Sequence, residues 1–553
     1  MSSNTRDTRA RHDRTRCSLV DRMHLSHRPF RFSSRLTALA LAIQFTVAPL
    51  SAQAQSAVRL PALGDSVSET VSLGDERRYG DWIMSQVRGD PLVLDDPLLQ
   101  AYLESLWQPL LQAARAQGHI SEELQERFAW ETLLIKERAI NASAWPGGYF
   151  MFNLGLIAMT GERDELASVM AHELSHVTQR HIARGIAGEG KNTAMNILGI
   201  LLGVLAASAT GSVDGGIGVI YAAQAAAQQQ QLRFSRDMER EADRVGHAVL
   251  AEAGYQPAGM VRMFERMDLA NRLMDSGAFP YLRSHPLTSE RIGESRQRVS
   301  LDARQVAPQG LAVHSLMAAR SRVLMDERAE ILQNAEGLDA GAREAGPLPQ
   351  LAARYTAAFA AYKLRHRERG DAAVQAARRF LPNVDFAERA SVERLLAMLQ
   401  AEGAALNGDA AAGWAALAPY DSVKDTVMLK LRAQLAAAPG STRAQREVVL
   451  DALQTHLALF PLDASAWARS VRLWELQGQP LRALRAQAEV FAAQGNLRGA
   501  IDRLRSGLRQ SRGPAADQIE VAVLDARLRT LLTERRAQLE EMYPRGGIPP
   551  EER

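Results

Sequence analysis

His172-Glu173-Leu174-Ser175-His176 sets two imidazoles four residues apart with a carboxylate between them. On a helix that spacing puts both rings on one face, close enough to share one metal ion. The glutamate would lie beside the ion, where it can take a proton from an activated water. The chemistry this predicts is metal-assisted hydrolysis with one Zn2+ per chain, His172 and His176 as ligands and Glu173 as general base.

Two histidines leave such a site one ligand short, because catalytic zinc usually has three protein ligands and an open position. The third is expected from another helix. Residues 235–254 read as one, stopped by Gly254 and Pro257. It carries Glu239-Arg240-Glu241-Ala242-Asp243. Glu239 and Asp243 share a face, and Glu241 points nearly opposite. Ala242 and Gly246 are small enough to let the two helices approach closely. Glu239 is therefore the expected third ligand, and Asp243 the carboxylate that orients a zinc-binding histidine from behind. His181, five residues past His176 and rotated off the ligand face, is expected at the surface or behind the ligands.

The elements that must hold these residues are legible in outline. Asp95 to Ala116 reads as an amphipathic helix with Leu98, Tyr102, Leu106 and Leu110 on one side. Phe128 to Ile135 and Ile140 to Trp145 are expected strands. Pro146-Gly147-Gly148 is a turn signal, and Tyr149-Phe150-Met151-Phe152 a short apolar strand. On the helix bearing the two histidines, Glu162, Asp164 and Glu165 suit the positive end of the helix dipole. Leu166, Val169, Met170, Leu174 and Val177 form its buried face.

The chain has 553 residues and ordinary hydrophobicity, enough for two or three domains. Its net charge of +3 is misleading, because residues 1–54 hold nine Arg, three Asp and no Lys. Residues 55–553 carry 57 basic and 60 acidic residues, a net of −3. Such a body gives no reason to expect nucleic acid as a partner. Leu36 to Leu50 is an apolar run behind Arg28, Arg31 and Arg35, followed by Ala52-Gln53-Ala54. This is the pattern of a secretory signal cut after Ala54, with Met23 an alternative start that would make 1–22 a start-site artefact. Cys17, the only cysteine, falls in that leader, so the mature chain has neither disulfide nor thiol ligand. The expected compartment is the bacterial periplasm.

Residues 55–300 are read as the catalytic domain, 301–346 as a linker and 347–553 as a helical repeat domain. Within the first, 188–230 is a nearly apolar segment read as a lid or plug, with peripheral membrane contact as a further role; its apolar core is short for a span. From Pro347 to Gln538 the chain is rich in Ala, Leu and Arg. Gly478 and Gly495 lie 17 residues apart, half of the 34-residue period of tetratricopeptide hairpins.

With H-E-x-x-H followed by E-x-x-A-D, the chain resembles the HtpX/CaaX-protease type of gluzincin metallopeptidase, and within it the periplasmic BepA-type branch with a helical-repeat tail. The resemblance covers the leader, the domain to about residue 300 and the tail. Asn141 to Gly148 (NASAWPGG) is similar to the family's N-A-F-A-x-P-G-G segment, with Ser143 in place of the aromatic. The fold it implies is mainly α: an α+β protease domain with a small edge-strand sheet, then tetratricopeptide-like helices. It also implies that Trp145, Gly147, Gly148 and Tyr149 belong to an edge where an extended substrate adds as a strand. Ser284-His285-Pro286 and Arg291 resemble the family's His-Pro loop, making His285 a latency ligand on the metal and Arg291 an active-site contact. Substrates implied are unfolded or stalled outer-membrane β-barrel proteins, and the implied partner is the β-barrel assembly machinery, reached through the repeats. A repeat-based chaperone with a normally silent protease is the alternative. A membrane-embedded protease is disfavoured, because outside the leader no run approaches the ~20 apolar residues of a span.

Overall fold

The computed structural model describes residues 71–188, 236–273, 280–301, 309–342, 345–511 and 517–542. The expected leader and the segment 189–230 lie outside these residues.

Ser72 and Asp75 close a reciprocal capping box that starts helix α1, Leu73–Val87. The S-x-x-D spacing is the local signal for this helix start in the sequence. Asp96 caps α2, Pro97–Ala116, by accepting from the Leu99 amide, with Pro97 in the first turn where its missing N–H costs nothing. Helix α3, Glu122–Arg127, leads into a three-stranded sheet ordered β1-β3-β2. β1 (Glu131–Ile135) runs parallel to β3 (Tyr149–Asn153), and β2 (Ala142–Trp145) runs antiparallel to β3. The register pairs Leu133 with Met151 and Ala144 with Phe150. The first strand starts three residues later than expected because Trp130 has a left-handed backbone, φ 53°, which an extended run cannot continue through.

The sheet is apolar on both faces. Leu134, Phe150 and Phe152 join the main core, while Leu133, Ile135, Tyr149 and Met151 pack under α1 with Ile83, Met84 and Val87. Helix α4, Leu154–Met159, turns the chain into α5, Arg163–Thr178, which carries the two histidines. Short α6 (His181–Gly188), then α7 (Arg236–Glu252), α8 (Ala258–Leu273), α9 (Pro280–Ser284) and α10 (Ser289–Leu301) complete the surroundings of α5.

Residues 301–346, expected as a linker, include helix α11, Leu311–Leu324, and a further helix at Ala329–Glu336. Leu316 and Met317 of α11 lie in the same core as Leu99, Phe150 and Leu166, and that core continues to Tyr355, Phe359, Leu396 and Leu399. The helix is buried nearly all round, polar His314, Arg320 and Ser321 included, so its sequence shows no apolar stripe. Arg320 holds the N-cap Asp96 (2.6 Å) and Glu402 (2.8 Å), tying α2 to helix Phe386–Leu406. Ten helices follow Gly346 among the described residues, from Pro347–Lys363 to Gln518–Met542. They form a helical tail, and Arg469 reaches back to Asp95 at the start of α2. No helix of the described residues is long and apolar enough to cross a membrane.

Candidate metal centre

Helix α5 is buried on every side from Asp164 to Val177, so its polar residues must find partners inside the protein. Glu165 accepts from the Gly161 amide at 2.7 Å and pairs with Arg266 at 3.0 Å, satisfying the helix start. One turn apart further along, His172 and His176 point their Nε2 atoms at each other, 3.0 Å apart. α7 lies against them. A Cβ on Gly246 would sit 3.2 Å from both the Ala171 carbonyl oxygen and the His172 nitrogen, which shows how closely the two backbones approach.

That approach brings Glu239 to the pair: Oε2 is 3.5 Å from His172 Nε2, and Oε1 is 3.5 Å from His176 Nε2. From the loop after α9, His285 adds its Nδ1, 3.0 Å from Glu239 Oε1 and 3.4 Å from His172 Nε2. His285 lies flat on Tyr281, ring centroids 4.6 Å apart. One ligand atom from each of His172, His176, Glu239 and His285 lies within 4.8 Å of all the others, and all four residues are buried.

This set fits a metal ion. Bonds of ~2.0–2.1 Å in a tetrahedral site put ligand atoms roughly 3.3 Å apart, close to the separations seen here. Glu173 Oε1 is buried and has no hydrogen bond, so it carries acceptor capacity for a cation or a water. Burial opposes charge on His172, but the carboxylates of Asp243 and Glu239 outweigh it and lift the ring to about 9. Burial and the neighbouring His172 push His176 well down. Burial would raise Glu239, yet His285 and His172 hold it well below the usual carboxylate range. The carboxylates thus favour positive charge at the centre of the site, and His176 offers it an unprotonated nitrogen.

The groups behind the ligands are as ordered. Asp243 Oδ1 lies 3.0 Å from His172 Nδ1. Arg291 grips Asp243 with two prongs, at 2.7 and 2.8 Å, places a third nitrogen 2.8 Å from Glu239 Oε2 and donates to the Pro286 carbonyl at 2.9 Å. Arg291 is buried, so it reaches the site as a brace for its carboxylates and for the His285 loop. Glu173 is buried with its Oε1 3.6 Å from His285 Nε2.

His181 is fully buried and lies behind His176, the second of the two places expected for it. Arg180, with a left-handed backbone of φ 53° held by Glu76 (2.9 Å) and the Val71 carbonyl (2.6 Å), turns the chain so that His181 folds back onto His176. The two Nδ1 atoms are 2.9 Å apart, and His181 Nε2 lies 3.1 Å from Glu241 Oε2. Glu241 does leave α7 on the side away from Glu239, but the returning His181 meets it there. Which of the two expected places His181 takes depends on the one backbone turn at Arg180.

Trp145, Gly147, Gly148 and Tyr149 do not face the cluster as side chains. Gly147 and Gly148 form the β2–β3 turn with φ of 79° and 81°, values only glycine takes freely, and their carbonyls accept from Ala129 and Glu131. The Tyr149 ring is buried under α1, where its hydroxyl donates to Asp81. Trp145 packs on that same side and donates to Ser143 Oγ at 3.0 Å. What remains for an incoming strand is the backbone edge of β2, which lies beside α5 and pairs with β3 alone among the described residues.

Residues 97–299, which hold the whole cluster, match the model of Peptidase family M48. Over that stretch the chain is similar to the M48 peptidases. It is 34% identical over 254 residues to the Beta-barrel assembly-enhancing protease of Escherichia coli K12, covering 46% of this chain and 49% of that one. A Vibrio cholerae protein given that name provisionally is 35% identical over 295 residues, 53% of this chain and 57% of the relative. These alignments span about half the length of the relatives. The Beta-barrel assembly-enhancing protease of Yersinia pestis aligns over 492 residues at 28% identity, 87% of this chain and 94% of that one.

Proposed function

We propose that this chain is a periplasmic zinc endopeptidase that acts on unfolded or stalled outer-membrane β-barrel proteins. The observation that carries the reading is the cluster of His172, His176 and Glu239 with an unpartnered Glu173 oxygen beside it, set in an M48 domain. A zinc ion held by those three residues would polarise the scissile carbonyl and make a neighbouring water more acidic. Glu173 takes that water's proton as its oxygen attacks the carbonyl carbon, then hands the proton to the departing amide nitrogen as the C–N bond breaks. Asp243, braced by Arg291, holds His172 in orientation.

The free edge of β2 selects an extended substrate, since only an unfolded segment has backbone groups to pair with it. His285 fills the space between Glu239 and Glu173 and acts as a fourth ligand that keeps the protease latent until its loop moves. The helical tail, read as tetratricopeptide-like repeats, is the element that meets the β-barrel assembly machinery. Relatives bearing the β-barrel assembly name support this choice of substrate and partner.

The insertion of His285 also favours a second reading, in which the tail acts as a chaperone or adaptor and the protease is mostly silent. A Glu173→Gln chain, returned to cells that lack the native one, separates the two. Lost rescue of outer-membrane defects supports the protease; retained rescue supports the adaptor.

A further inference from the structure

We infer that His181 and Glu241 are positioning residues which fix the tautomer of His176 and so set the metal affinity of the site. This deepens the zinc reading and rests on it. Donors and acceptors can be matched one after another along a chain of side chains running from His176 to Glu241. At one end, His176 can ligate through Nε2 only if its proton sits on Nδ1. That proton then points at His181 Nδ1, 2.9 Å away, which must accept it. A neutral His181 that accepts at Nδ1 carries its own proton on Nε2, 3.1 Å from Glu241 Oε2. At the far end Glu241 is acceptor-only as a carboxylate, and Arg184 donates to the same oxygen at 2.7 Å, which anchors it.

Read in this order, the bonds from Glu241 through His181 to His176 leave the Nε2 lone pair of His176 for the metal position. If Glu241 were replaced by a group that cannot accept, His181 would be free to put its proton on Nδ1. His176 would then have to accept there, moving its own proton to Nε2, where it competes with the metal. Asp243 Oδ1 stands 3.0 Å from His172 Nδ1, so His172 and His176 each have a different group behind the ring. Glu241 leaves α7 on the side opposite Glu239, and His181 comes from a separate short helix, so the two histidines are oriented from independent directions.

The test is zinc affinity of the full mature chain, read by competition with a chromophoric chelator, with thermal melting followed in parallel. Glu241 is part-exposed, which makes it the safer site to vary. Glu241→Gln keeps an acceptor oxygen and should bind zinc within a few-fold of the parent chain. Glu241→Met has similar bulk and no comparable acceptor, and should lose about tenfold or more at an unchanged melting temperature. His181→Leu should lose about 10- to 100-fold. Equal affinity for the Gln and Met variants, or loss only in step with lost fold, would overturn the inference. A parent chain that binds no zinc would instead overturn the metal reading beneath it, a distinct result.

Discussion

Arg291 and Asp243 form a two-pronged ion pair behind the metal ligands, Nε to Oδ2 at 2.7 Å and the second prong at 2.8 Å, with both side chains buried. Removing one partner of such a pair strands the other charge in the interior, at a cost of about 3–5 kcal/mol. Arg291→Ala should show that loss in chemical denaturation and also weaken zinc binding, because Asp243 and Glu239 lose their shared brace. Arg291→Lys cannot reproduce the fork and should fall between the two. An Arg291→Ala chain as stable as the parent would show that the pair braces nothing.

The close contact of α5 and α7 at Gly246 makes a second prediction. Gly246→Ala gains about 1 kcal/mol of helix propensity, which offsets the tight 3.2 Å contacts with Ala171 and His172, so its net effect on stability is small. Gly246→Leu has no room and should cost about 1–3 kcal/mol. Because it pushes Glu239 away from the histidines, it should lower zinc affinity more than it lowers melting temperature. Unchanged zinc binding in the Leu variant would contradict the packing argument.

His314 is a buried neutral imidazole that accepts from the Tyr102 hydroxyl at 2.6 Å and donates to the Thr160 carbonyl at 3.1 Å. Burial pushes it down to about 4. Above about pH 6.5 neither folded nor unfolded chain protonates it, and its contribution to stability is intact. Between about 6.5 and 4 the unfolded chain takes up a proton that the folded chain refuses, so stability falls as pH drops. An interval of about 2.5 pH units at about 1.4 kcal/mol each gives about 3.5 kcal/mol. Denaturation at pH 7 and pH 4.5 should show His314→Gln losing less stability between the two than the parent; equal losses would contradict this.

The core that runs through α11 to Leu399 predicts that the catalytic part cannot be cut out at residue 300. Truncation there strips Leu316, Tyr355 and Phe359 from the core and leaves Asp96 without Arg320. A chain ending at 300 should lack a cooperative melt, while one ending after 417 should keep it. A sharp melt in the shorter chain would show that the two parts fold independently.

The sequence was most informative where chemistry and helix geometry coincide. His172, His176, Glu239 and Asp243 follow from spacing alone, because residues four apart on a helix must share a face. His285 and Arg291 came only from resemblance, and the structure places both at the cluster, Arg291 as a brace. The segment Ala142 to Asn153 was legible as strand, turn and strand, yet the placing of Tyr149 was not: which way its ring faces depends on α1. His181 and α11 were hidden for a common reason. Buried polar residues look exposed in a sequence, and only the left-handed turn at Arg180 and the all-round packing of α11 reveal otherwise.

The central claim is that this cluster is a latent peptidase centre closed by His285. The most direct measurement is cleavage of an unfolded β-barrel protein by the mature chain, its Glu173→Gln variant and its His285→Ala variant, each with and without chelator. The account predicts cleavage by the parent that chelator abolishes, none by Glu173→Gln although it still binds zinc, and faster cleavage by His285→Ala. Cleavage that persists in Glu173→Gln or in chelator, or that is absent from every zinc-loaded form, would contradict it.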